Sequence, residues 1–209
     1  NSEQSVKEAS TYSYFTDEVI TQVANDLQEE LGYSSTQAYN LIYRGGLSIF
    51  STQDSKMQKT CDEVINDPSM YASVPSKYEL TYRLTLIDKD GNQKNYNENM
   101  LSAYFKESDP YFDLYFTKKK DAKPYIRKYR KHVMEEGDLI DGETINYTIQ
   151  PQVSFVLMDQ HTGEVKAIVG GRGEKSSNLS FNRATDSTRQ PGSTFKILST
   201  YLPGIDTKG

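Results

Sequence analysis

The chain has 209 residues, with 24 Lys and Arg against 29 Asp and Glu and a formal net charge of −5. That balance argues against a general nucleic-acid binder, whose phosphate contacts need a basic excess. A single cysteine, Cys61, excludes an internal disulfide or a cysteine-cluster metal site, and two histidines, His132 and His161, leave no material for a His-rich zinc centre.

The length predicts one or two domains. In the first segment Phe15, Val19, Val23, Leu27 and Leu31 recur every four residues, the period of an amphipathic helix. Thr16 is the expected N-cap, with Phe15 and Ile20 as a staple around it. Gly32 is the expected stop. Ser34 and Gln37 have capping-box spacing for a second helix, with Ala38, Leu41 and Ile42 as its apolar face and Gly45-Gly46 as its end. Leu47 to Ser51 reads as a short strand. Asp54 caps a third helix expected to bury Met57, Cys61, Val64 and Ile65. Residues 66–76 read as a linker.

From Tyr78 to Leu86 apolar and polar residues alternate, as in a half-buried strand. Asp88-Lys89-Asp90-Gly91 reads as a hairpin turn, with a return strand from Gln93 to Tyr96. Met100 to Phe105 reads as a short helix and Asp121 to Met134 as a longer one, with Pro124 tolerated in its first turn. Thr144 to Ile149 closes a small α+β module over residues 77–149. Val153 to Met158 is nearly continuous apolar sequence and predicts a buried strand. Asp159 to Gly163 is a turn, and Val165 to Val169 the second strand of an antiparallel hairpin. No run approaches 18 apolar residues, so no segment reads as a membrane span.

Ser193 and Lys196 stand three residues apart. If Pro191-Gly192 opens a helix, both side chains lie on one face, one turn apart. A serine hydroxyl is a poor nucleophile until a neighbour takes its proton, and a lysine amine can do so when burial disfavours its ammonium form. A helix N-terminus favours negative charge developing on the reacting oxygens. Ser-x-x-Lys alone is a weak signal, with roughly one chance match expected at this length from average usage.

The context is more specific. Ser154 to Asp159, Thr162-Gly163-Glu164-Val165-Lys166-Ala167-Ile168-Val169-Gly170-Gly171-Arg172, Phe181-Asn182-Arg183-Ala184-Thr185 and Arg189-Gln190-Pro191-Gly192-Ser193-Thr194-Phe195-Lys196 follow in order. This run resembles the transpeptidase domain of class A high-molecular-weight penicillin-binding proteins, the bifunctional peptidoglycan synthases of bacteria. Ser-x-x-Lys is an established motif of that class. Upstream, Tyr14 to Asp17, Tyr39 to Leu47, Ser51 to Asp54 and Met57-Gln58 resemble the linker between that family's glycosyltransferase and transpeptidase domains.

The resemblance implies an α+β chain of three parts: a mostly helical linker over 1–76, an inserted α+β module over 77–149 and the first hairpin and nucleophile helix of a transpeptidase domain over 150–209. It implies acyl transfer, with Ser193 as nucleophile on a D-Ala–D-Ala amide and Lys196 as its base. Stem peptides and beta-lactams are the implied ligands, and no cofactor is implied. The implied address is the outer face of a bacterial membrane, with the anchor elsewhere in the parent. No Lys-Thr-Gly is present, and Ser176-Ser177-Asn178 precedes the nucleophile, in the wrong order for the family's Ser-x-Asn. The chain therefore reads as a fragment, expected to be inactive alone. Alternatives are an interaction module docking a cell-wall partner or glycan, and a beta-lactam sensor or serine beta-lactamase. The basic run from Lys118 to His132 reads as a solvated helix face, or as a contact for anionic wall polymers or lipid head groups.

Overall fold

A computed structural model describes residues 11–207; the outer ends of the expected 1–76 and 150–209 segments lie outside them. The architecture is mixed helix and antiparallel sheet. Helices α1 (Tyr14–Glu29), α2 (Ser35–Arg44) and α3 (Ser55–Asn66) come first. Strands β1 (Lys77–Ile87) and β2 (Gln93–Asn97), helix α4 (Glu98–Lys106), strand β3 (Tyr115–Phe116), helix α5 (Lys123–Val133) and strand β4 (Leu139–Gln150) follow. The chain then forms the hairpin β5 (Phe155–Met158) and β6 (Val165–Val169).

Two cores result. In the first, β1 is central, with β4 along one edge and β2 then β3 along the other, all antiparallel. Its alternate residues Leu80, Tyr82, Leu84 and Leu86 are buried against Leu101 and Phe105 of α4 and Ile126 and Tyr129 of α5, as a strand period of two requires. In the second, β6 contributes Ala167, Ile168 and Val169, and the helices contribute Phe15, Ile20 and Ala24 from α1 and Ile65 from α3. This second core joins the two ends of the described chain, and the four-stranded sheet lies between them in sequence.

Local signals account for most boundaries. The Ser34–Gln37 capping box forms, and Asp54 caps α3 through the amides of Lys56 and Met57. In the β1–β2 turn, Asp88 Oδ1 accepts from the amides of Asp90 and Asn92, and Gly91 takes a φ of +81°.

Several expectations change. The cap of α1 is Ser13, whose hydroxyl accepts from the Thr16 amide, so Thr16 lies inside the helix. Leu47 to Ser51 is irregular rather than a strand. Helix α3 buries Ile65 as expected, but Gln58 is buried beside it while Met57 and Val64 are exposed. Gln58 displaces them because its amide completes backbone hydrogen bonds, which outweighs one more apolar contact. The apolar run of β5 predicts burial, yet Phe155, Val156 and Met158 are exposed. The two-residue β3 is too short to carry an alternation and has no signal in the sequence.

Candidate active site

The β5–β6 hairpin precedes the nucleophile segment in the chain, and its support comes from the helices. β6 pairs with β5 along one side. Along the other, Gln58 takes the place of a strand: its Nε2 donates to the Ile168 carbonyl at 2.9 Å and its Oε1 accepts from the Ile168 amide at 3.0 Å. The Asp54 amide donates to the Lys166 carbonyl, and the Thr52 hydroxyl donates to the Val165 carbonyl. Residues 52–58 thus satisfy a sheet edge that would otherwise leave backbone groups open.

Beyond β6 the chain enters a tight interlock. A Cβ on Gly170 would lie 2.3 Å from Asn182 Oδ1 and 2.5 Å from Tyr14 Cδ1, so the backbone approach there admits only glycine. The buried Asn182 accepts through Oδ1 from the Ala184 amide, and its backbone N–H donates to Asp186. The Arg183 amide donates to the Gly170 carbonyl. Burial pushes the Tyr14 phenol above its ordinary value, against the opposing pull of Arg183.

Two buried cations hold the loop from 172 to 180. The Arg172 guanidinium lies 3.5 Å from the Tyr71 ring centre and donates to the Ser76 hydroxyl. Lys175 meets Asp17 at 2.7 Å, with the two side chains only 9% and 5% exposed. The same Asp17 oxygen accepts from the Leu179 amide, where the backbone takes a φ of +52°. Asn178, the last residue of the out-of-order Ser-x-Asn, accepts from the Tyr12 amide. Helix α1 therefore grips the loop that leads to the nucleophile.

Ser193 lies in a 3-10 turn over Gly192–Phe195, followed by a π-type turn over Ile197–Tyr201 and the short helix α6 (Leu202–Asp206). The expected single helix is thus broken into three pitches. The spacing survives: the Lys196 amide donates to the Ser193 carbonyl, and residues three apart eclipse in a 3-10 turn. Gly192 has a φ of +55°, a left-handed conformation that disfavours other residues. Ser193 and Lys196 are both exposed, and among the described residues neither side chain has a hydrogen-bond or ion-pair partner. Phe195, Ile197, Leu198, Tyr201, Leu202 and Ile205 are exposed beside them.

Residues 153–208 match the sequence profile described as the penicillin binding protein transpeptidase domain. Penicillin-binding protein 1A of Clostridium tetani is 30% identical over 94% of this chain and 16% of its own length. Penicillin-binding protein 1A of Clostridium acetobutylicum is 27% identical over 99% of this chain and 18% of its own. Together these matches support a fragment of a class A penicillin-binding protein. The chain spans less than a fifth of the length of these relatives. Penicillin-binding protein 1A/1B of Bacillus subtilis is 41% identical, but over 34% of this chain and 8% of its own length.

The sequence singles out Ser193 and Lys196 but not Asp17, Gln58 and Lys175, which hold the β5–β6 hairpin and the loop from 172 to 180. Asp17 and Gln58 both fall in stretches that resemble the family linker, and that is the available signal. Among the described residues no cluster of His, Cys, Asp and Glu is arranged to hold a metal. No described helix is long and apolar enough to cross a membrane.

Proposed function

We propose that this chain carries the nucleophile segment of a serine acyl transferase that cross-links peptidoglycan stem peptides. The observation that carries the reading is the transpeptidase match over 153–208, which contains Ser193 and Lys196. Ser193 Oγ attacks the carbonyl carbon between two D-Ala residues, and Lys196 Nζ takes its proton. The C–N bond breaks, the proton passes to the departing D-Ala amine, and an ester on Ser193 remains. An amine of a neighbouring strand then attacks the ester and restores the hydroxyl. The Ser193 amide, in the first turn, is one donor for the oxyanion. A beta-lactam forms the same ester and blocks the site.

In this reading residues 1–76 are the interdomain linker, 77–149 an inserted module and 150–209 the start of the transpeptidase domain. The parent acts at the outer face of the membrane. The 209-residue chain alone is inactive, because a lysine base needs burial and Lys196 is exposed. The test is labelling of the full-length gene product with a fluorescent penicillin. Ser193→Ala abolishes the labelling while circular dichroism is unchanged; undiminished covalent labelling of that variant refutes the assignment.

A further inference from the structure

The strongest unexplained feature is the surface of α5. Of the 14 residues from 118 to 131, eight are Lys or Arg and one, Asp121, is acidic, in a chain of net charge −5. Ile126 and Tyr129 turn into the core, and Arg130 is paired with Glu143 at 2.8 Å. That leaves Lys123, Arg127, Lys128 and Lys131 on the outward face, with Lys118, Lys119 and Lys120 in the preceding turn, all exposed. Among the described residues none of these seven has an ion-pair partner. Lys123, Arg127 and Lys131 follow at every fourth position and form a row along the helix, about 6 Å apart in axial rise. Unpaired like charges so close together repel one another, so the row has a standing preference for an anion.

We propose that this row binds a linear polymer bearing repeated phosphate groups, independently of the acyl-transfer reading. Lysine supplies compact, rotatable ammonium groups suited to phosphate oxygens. A linear chain lying along the helix axis meets one cation per turn. An anionic bilayer fits less well. An interfacial helix inserts an apolar face, and of the apolar residues of α5 Ile126 and Tyr129 are already committed to the core, which leaves Tyr125 as its exposed aromatic. Asp109 also lines the same cleft as Lys128, so a flat anionic surface would press on a carboxylate that a linear chain can avoid.

The probe is sodium polyphosphate of defined length, titrated into the 209-residue chain by calorimetry at several salt concentrations. With four contacts, log K falls against log salt with a slope of about −3. The charge swap Lys123→Glu with Lys131→Glu removes two of the four contacts, weakens binding at least tenfold and flattens the slope by about 1.5. An equal swap elsewhere, Lys56→Glu with Lys59→Glu on α3, leaves affinity within about twofold. All four lysines are exposed, so both variants fold, and circular dichroism checks that they do. Equal loss in both variants, or no loss in the first, overturns the proposal. So does binding to vesicles of phosphatidylglycerol in phosphatidylcholine with no binding to polyphosphate.

Discussion

Gln58 offers the sharpest test of how the helices support the β5–β6 hairpin. Its amide makes two hydrogen bonds to the Ile168 peptide, at 2.9 and 3.0 Å, in a buried setting. Gln58→Ala removes both and leaves a backbone donor and a backbone acceptor without partners. Each unsatisfied group costs about 1–3 kcal/mol, so a loss of about 2–6 kcal/mol is expected. Gln58→Glu separates the two bonds. An ionised carboxylate can still accept from the Ile168 amide, but it opposes the Ile168 carbonyl and Asp62, whose carboxyl burial already pushes above its ordinary value. The neutral acid restores a donor and mimics glutamine. The carboxyl introduced by that substitution is therefore raised in the folded state above its unfolded value of about 4.3. The folded variant then binds more protons than the unfolded one, so stability is retained at low pH and lost as pH rises through the raised value. Urea unfolding at pH 4.5 and pH 8, with amide exchange at Ile168, measures both effects. Gln58→Ala within about 0.5 kcal/mol of the parent, or a pH-independent Gln58→Glu, would refute the argument.

Gly170→Ala places a methyl group against Asn182 and Tyr14 and should destabilise the hairpin core by about 1–3 kcal/mol, whereas Gly142→Ala, which meets nothing within 4 Å, should not; urea unfolding distinguishes them. Asp17→Asn strands the buried Lys175 ammonium and should cost about 3–5 kcal/mol. Adding Lys175→Met should recover much of that loss, measured as a double-mutant cycle. In the full-length gene product Lys196→Arg should slow penicillin acylation about a hundredfold or more, since arginine does not give up its proton; stopped-flow acylation rates check this. The 209-residue chain, incubated with penicillin, should show no stoichiometric mass increase on Ser193 by intact-protein mass spectrometry.

Much of this chain is legible from local sequence. The capping box at Ser34 and Gln37, the Asp54 cap, the Asp88–Gly91 turn and the alternation along β1 each rest on residues close together, and each forms. The Ser193–Lys196 spacing is likewise set by chain distance, and it holds although the turn is 3-10 rather than α. What tertiary structure alone decides are the pairings across long separations. Gln58 faces Ile168 across 110 residues, and Asp17 meets the Leu179 amide across 162. Periodicity ranks positions by apolarity, so it assigns Met57 and Val64 to the core of α3. The fold instead buries Gln58, because β6 presents an unpaired peptide there, and burying that peptide without a partner costs more than exposing a methionine.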